Sequence, residues 1–415
     1  MVKNPVCISA LILAFLLYSG FVRATNRHPF RCLAPADEII SMSGTVCSNP
    51  VKTPLFNGSY RIMFMVKEAW TDKGIFEACG IVNVLIPAAL LESYYPGKLY
   101  SPVFAWASNG LFIENGRKLR LSISSVSHGL ESFFLASSGR ELGWEGNGLT
   151  GRIIRFRGLC RLQFKRLMYS WGNAGGLLLA LLSGSREYTE KSVSDAFRAS
   201  GLSHILALSG MHLGLFGSIA RFFGRKASGR TLGNALQLGA VCFFVYFAGM
   251  SPSLFRAFLA ALILYIASLL RMNRPDSLAL LSTCFIIHLI FFPEHSGESA
   301  FMLSYASLGG IIIFGRMFRK VYPVFIPRKL RLSVADSSAA QLATAPVSLR
   351  FFGSLAPQGI IAAVFVSPVV FLFLYAGLFA CIICLFLPFL SGPISAIMNM
   401  LYFVIKNLVI FFSFE

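Results

Sequence analysis

The chain has 415 residues, 55% of them hydrophobic and only 13% charged, with 40 phenylalanines. A soluble domain carries about a quarter charged residues, so a cytosolic enzyme, a disordered chain and a disulfide-stapled secreted module are excluded and a membrane protein remains. The 37 Lys+Arg against 18 Asp+Glu give a formal charge of +19, which must sit outside apolar spans because charges are costly in lipid.

The first apolar run, Pro5 to Phe21, follows Lys3 and precedes Arg23. It has the basic start and short apolar centre of a signal peptide. No small-x-small cleavage site follows, which favours an uncleaved membrane anchor over residues 1–22. Residues 23–150 change texture. Apolar and polar residues alternate in Arg61–Lys67, Gly80–Ile86 and Lys118–Ile123, separated by the turn residues Asn57-Gly58, Tyr95-Pro96-Gly97 and Asn115-Gly116. Period-two alternation between turns predicts short antiparallel strands in a small β-barrel or sandwich. Residues 151–200 open with the basic amphipathic stretch Arg152–Arg166, predicted as a helix that lies on the membrane or leads into it. From 201 to 415 apolar runs follow one another at 203–221, 232–249, 253–270, 276–292, 300–316, 335–351, 357–389 and 393–413. With the first run they predict about eight to ten spans.

The loops between these runs sort by charge. Arg221, Arg225, Lys226 and Arg230 fill the first, Arg271 and Arg274 the third, and Arg316, Arg319, Lys320, Arg328, Lys329 and Arg331 the fifth. The intervening Met250–Ser253 and Pro293–Glu298 carry no Lys or Arg. Basic loops are cytoplasmic by the positive-inside rule, and Lys3 puts the N-terminus inside, so residues 23–200 are expected outside the cytoplasm. That outside segment is itself basic, with 21 Lys+Arg against 13 Asp+Glu, a surplus of 8. Its cations Arg117, Lys118, Arg120, Arg152, Arg155, Arg157, Arg161, Lys165 and Arg166 are candidates for a DNA-binding surface. A solvated or headgroup-facing surface is the other reading. The interleaved aromatics Tyr94, Tyr95, Tyr100, Phe104 and Trp106 favour the nucleic-acid path, because bases stack on such rings.

The segment Phe197-Arg-Ala-Ser-Gly-Leu-Ser-His-Ile-Leu-Ala-Leu-Ser-Gly-Met-His-Leu-Gly214, after Leu181–Glu187, resembles the signature of the ComEC competence family of bacterial DNA-uptake channels. Further resemblances follow in order: Gly249-Met-Ser-Pro-Ser-Leu-Phe-Arg-Ala257, Phe301-Met-Leu-Ser-Tyr305, and Gln341-Leu-Ala-Thr-Ala-Pro346. The resemblance is strong over about 175–415 and weak over the outside domain, where the family carries an OB-like barrel. It implies a polytopic α-helical inner-membrane protein with an extracytoplasmic OB-like β domain, and a channel domain at 201–415 that carries single-stranded DNA inward. An external DNA receptor and a cytoplasmic translocation motor, or the proton gradient, are implied partners besides the lipid bilayer, and a homo-oligomer is allowed. Family members often continue into a metallo-β-lactamase-like domain. No His-x-His-x-Asp-His run occurs here, so the resemblance is to a form without that domain, and any nuclease step is expected from another protein.

Polar groups within spans mark pathways more often than decoration. On that ground Ser203, His204, Ser209, His212, Arg256, Ser304 and Gln341 are pore candidates. Arg256 either snorkels to the interface or faces a water-filled lumen and draws phosphates through. The glycines 201, 210 and 214 serve close helix packing or break the span to line a cavity. No catalytic site is expected: Ser209 and His212 lack an acidic orienter, and His204 and His212 lack a third metal ligand. Without a Gly-rich Lys-Ser/Thr loop, neither ATP hydrolysis by that route nor any cofactor is expected. Cys381 and Cys384 read as packing residues, while Cys32, Cys47, Cys79 and Cys160 allow one or two disulfides of unreadable pairing. A small-molecule or lipid permease and a pore-less scaffold are the alternative readings.

Overall fold

A computed structural model describes residues 4–21, 29–53, 59–87, 90, 111–128, 131–186, 188–206, 210–249, 251–323, 327–353 and 355–413. Among the described residues, helix α1 (Pro5–Tyr18) precedes seven strands: β1 (Arg31–Cys32), β2 (Ser41–Val46), β3 (Val51–Lys52), β4 (Tyr60–Thr71), β5 (Gly74–Ile86), β6 (Arg117–His128) and β7 (Glu131–Trp144). The alternation read along these segments becomes alternating burial, with Ile62, Phe64 and Val66 inward on β4 and Leu119, Leu121 and Ile123 inward on β6. The sheet order is β1-β5-β7-β6-β2-β4-β3 with a further β4–β5 pairing. Its neighbours are antiparallel except β5 and β7, which meet in parallel at Val84↔Phe134 and Leu85↔Leu135. Because those strands share only two residue pairs, the expected barrel is instead a curled sheet that is not closed.

The remainder is helical: α2 (Gly148–Ser170), α3 (Gly172–Ser183), α4 (Lys191–Ala199), α5 (Ser203–Leu206), α6 (Gly210–Ala248), α7 (Pro252–Leu269), α8 (Ser277–Phe291), α9 (Ser299–Val321), α10 (Arg328–Phe352), α11 (Gly359–Phe386) and α12 (Ser391–Phe411). Among the described residues, five helical stretches are long and apolar enough to cross a membrane: Phe216–Ala248, Pro252–Leu269, Ser299–Val321, Gly359–Phe386 and Pro388–Phe411. This is fewer than the eight to ten read from the apolar runs, for physical reasons. α1 and α8 have 14 and 15 residues, about 22 Å of helix against a hydrocarbon core of about 30 Å, so each crosses only with the help of flanking residues or a locally thinned bilayer. α10 carries Arg331, Asp336 and Arg350 along its length.

α6 contains the first two predicted runs and folds back on itself. Ser228 and Gly229 leave helical geometry, Gly229 at φ +82° and ψ −163°, a conformation open almost only to glycine. The two arms then pack antiparallel. A Cβ on Gly224 would fall 2.8 Å from the Cα of Gly233, and the rings of Phe216 and Phe244 lie 4.5 Å apart.

The segment after α2 packs on the last helix of the chain. α3 is apolar, and Leu177 through Leu181 are fully buried, yet its 12 residues make about 18 Å, too short to cross. Instead it lies beside α12. The indole of Trp171 donates to Ser391 Oγ (3.0 Å), and Asn399 donates to the Trp171 carbonyl (3.0 Å) while accepting from the Ala174 N–H (3.4 Å). At the far end of α12, Lys406 and Tyr402 donate to Glu190 at 2.8 and 2.7 Å. Residues 171–190 thus follow α12 for most of its length.

Candidate functional site

The basic stretch splits by burial. Arg157, Arg161 and Lys165 recur every four residues and so share one face of α2, and that face turns inward. Arg161 Nε lies 2.6 Å from Glu114 Oε1 and Lys165 Nζ 3.3 Å from Glu114 Oε2, all three side chains at 1% exposure. Arg161 also donates to Asn49 Oδ1 (2.9 Å) and to the Phe247 carbonyl. Burial works against ionisation of Glu114, but the charges of Arg161 and Lys165 outweigh it and hold the carboxyl below its ordinary range. Arg166 is buried too. Arg117, likewise buried, pairs with Glu141 and packs over the Trp144 ring at 4.9 Å. These four candidates therefore do not form an accessible surface. Arg161 and Lys165 rivet α2 to Glu114 just ahead of β6, and Arg161 ties α2 to the end of α6. Arg157 is half-buried over the Tyr246 ring (5.3 Å), Lys118 is half-buried, and Arg120, Arg152 and Arg155 are exposed. The aromatics Tyr94, Tyr95, Tyr100, Phe104 and Trp106 lie outside the described residues.

Two groupings of motif residues form among the helices. In the first, Arg256 of α7 donates to the Ser304 carbonyl of α9, and its guanidinium lies 5.9 Å from the Tyr305 ring centroid. A Cβ on Gly210 would fall 3.3 Å from Arg256 Nη2 and 3.1 Å from the Ala257 Cβ, so α6 approaches α7 closely here. Ser304 serves through its carbonyl rather than its hydroxyl. Among the described residues no carboxylate pairs with Arg256.

In the second grouping, Gln341 of α10 donates to the Ala356 carbonyl (3.0 Å) and Gln358 to the Ala199 carbonyl (3.0 Å). A Cβ on Gly359 would lie 2.8 Å from Gln341 Nε2 and 3.0 Å from the Ser200 carbonyl oxygen. The Gly201 and Gln341 motifs, about 140 residues apart in the chain, thus meet at the start of α11. Ser203 is half-buried on α5. Ser209 lies outside the described residues, and of His204 and His212 only the backbone positions, on α5 and α6, are described.

One chain of contacts beside Arg256 was not read from the sequence. Tyr305 donates to the Cys284 carbonyl (3.1 Å) and lies 3.1 Å from His288 Nδ1, while His288 Nε2 is 3.0 Å from His295 Nδ1. A hydroxyl that gives its proton to a carbonyl must accept from the imidazole. His288 therefore carries its proton on Nδ1 and accepts from His295. The only sequence signal was two histidines seven apart, one in an apolar run and one in the following loop. Among the described residues no group of three or more His, Cys, Asp or Glu side chains could hold a metal. The described cysteines are free thiols.

The family described as "Competence protein" matches residues 181–414, 234 of the 415 residues. Among curated proteins, the chain is similar to ComE operon protein 3 of Bacillus subtilis, 30% identical over 178 residues, 43% of this chain and 22% of that protein. It is also similar to an uncharacterized protein of Aquifex aeolicus, 27% identical over 236 residues, 57% of this chain and 53% of that protein. The chain thus aligns with about half or less of each relative's length. No solved structure matches.

Proposed function

This chain belongs to the competence protein family, and we propose that it acts in DNA uptake as a multi-pass inner-membrane conduit for a single strand, with no catalytic step of its own. One observation carries the reading. Within the family-matched helices, Arg256 holds a guanidinium against Gly210 and the Ser304 carbonyl with no carboxylate partner among the described residues. A cation in lipid costs ~2.5–3.5 kcal/mol on insertion scales and persists where it faces water or an anionic ligand. A passing phosphodiester is such a ligand.

In this reading the loops 221–230, 271–274 and 316–331 face the cytoplasm, as does the N-terminus, and the sheet lies outside. The strand order is compatible with an OB-like, partly open arrangement of the kind that binds single strands. An external DNA receptor, a cytoplasmic motor and further copies of the chain are proposed partners. The test is uptake of labelled DNA by a competent host. Deleting the chain should abolish it, and Arg256→Gln at normal membrane abundance should lower it at least tenfold. Normal uptake in the deletion strain would leave the permease or scaffold reading in its place.

A further inference from the structure

The outer face of the sheet carries an arrangement that folding alone does not favour. Arg120 on β6 stands directly opposite Arg140 on β7, and Ser122 opposite Ser138. Both arginines are exposed. Like charges facing each other across a strand pair destabilise it, and among the described residues neither arginine has an ion-pair partner. The nearest acids in register are engaged elsewhere, Glu141 with Arg117 and Glu68 with the Ser43 hydroxyl at 3.1 Å. On the other flank the Arg120 guanidinium carbon stacks 3.8 Å from the centre of the half-buried Trp70 ring. Trp70 pairs in register with Ser41, which pairs in turn with Ser122. The result is a row of two unpaired guanidiniums, one of them flattened on an indole, between small hydroxyl side chains.

We propose that this face is a binding platform for single-stranded nucleic acid, in which Arg120 and Arg140 each hold one backbone phosphate and the Trp70–Arg120 stack offers a plane for a base. A phosphate bound at each arginine offsets their mutual repulsion. The serines at 122 and 138 keep the strand surface low enough for a backbone to approach, and their hydroxyls can donate to it. The stacked plane is what favours nucleic acid over a lipid surface, because headgroups gain nothing from it while bases and guanidinium or indole planes stack. The platform rests on the DNA-uptake reading and names where the incoming strand first binds. It includes Trp70 and Arg140 and excludes the buried Arg117, Arg161, Lys165 and Arg166.

The test uses the full chain in phosphatidylcholine nanodiscs and a fluorescent oligothymidylate, with affinity followed by anisotropy over a range of NaCl concentrations. Each phosphate contact on a single strand contributes about 0.7 to the slope of log affinity against log salt. The double variant Arg120→Gln/Arg140→Gln should therefore lower that slope by about 1.4, with an unfolding temperature equal to or above the parent's. Trp70→Ala should weaken binding about fivefold or more at constant salt. The charge-matched Lys320→Gln/Lys329→Gln chain should keep the parent slope. An unchanged slope in the arginine variant, or an equal fall in the lysine control, overturns the platform and leaves the uptake reading standing. So does affinity for anionic vesicles that matches the affinity for DNA and ignores Trp70. A parent chain that fails to bind the oligonucleotide also overturns the platform, and labelled-DNA uptake by the deletion strain then decides the uptake reading separately.

Discussion

Glu114 Oε1 lies 2.6 Å from Arg161 Nε, and neither side chain is more than 1% exposed. The carboxylate precedes β6 and the guanidinium sits in the middle of α2, which also reaches the Phe247 carbonyl at the end of α6. One buried pair thus joins the sheet, the amphipathic helix and the helical hairpin. A buried pair adds little over an apolar replacement, but breaking it strands a charge. Arg161→Met should cost about 3–5 kcal/mol by leaving Glu114 buried against Lys165 alone. The triple variant Glu114→Gln/Arg161→Met/Lys165→Met, which removes all three charges of the cluster, should recover a large part of that loss. Thermal unfolding of the purified chain in detergent checks both, and equal losses in the single and triple variants would show that the charge cluster is not what couples the parts.

The fold of α6 depends on one residue. Gly229 at φ +82° and ψ −163° occupies a region where a side chain costs of order 1–3 kcal/mol. No atom stands within 4 Å of the place a Cβ would take, so the penalty is purely one of backbone conformation. Gly229→Ala should lower the unfolding temperature, and Gly239→Ala, in the second arm with open space and ordinary helical geometry, should raise it slightly. A smaller effect at 229 than at 239 would contradict the turn.

The contact between residues 171–190 and α12 predicts an acid response. Hydrogen bonds from Lys406, then Ser192 and Tyr402, hold the Glu190 carboxyl at about 2, below its ordinary 4.5. A carboxylate depressed in the folded state stabilises it above the unfolded pKa, and that contribution is lost as pH falls from about 4.5 toward 2. Unfolding temperature should therefore fall more steeply between these pH values in the parent than in Glu190→Gln, while at neutral pH the parent is the more stable. Parallel pH profiles would remove Glu190 as the latch.

What the sequence made legible and what it hid differ in kind. Membrane-type helices are one-dimensional facts: the runs read at 253–270, 276–292 and 393–413 fall on α7, α8 and α12 because apolar length alone drives them. The alternation at 61–67 and 118–123 located β4 and β6 for the same local reason. Arg161 and Lys165 were misplaced on a surface because their partner, Glu114, is about 50 residues away and no periodicity reports it. The packing of α3 on α12 is not legible because its covering helix arrives some 220 residues later. His288, His295 and Tyr305 were missed because each alone looks like a satisfied core or loop residue. Only their meeting joins them into one hydrogen-bonded chain.

The last prediction concerns sidedness, where two independent arguments converge. By the positive-inside rule the tip of α6, with Arg225, Lys226 and Arg230 around Gly229, is expected on the cytoplasmic side. Packing places the other end of α6 beside the sheet, since Arg161 holds Phe247 and Tyr246 donates to the Ile153 carbonyl at 2.8 Å. From Gly229 to Phe247 is about 18 residues, or about 27 Å of helix, close to one hydrocarbon thickness. The loop at 293–297 belongs to the sheet side as well, because the Phe292 ring lies 4.9 Å from Phe255 near the start of α7. Alkaline phosphatase, active only outside the cytoplasm, should therefore be inactive when fused after Arg230 and active when fused after Gly297. Fusion after Arg274 should again be inactive, since α7 and α8 run to and from that loop. Activity at both 230 and 297 would mean that the α6 hairpin does not cross the membrane. Activity at 230 alone would invert the chain and place the sheet, with Arg120 and Arg140, in the cytoplasm.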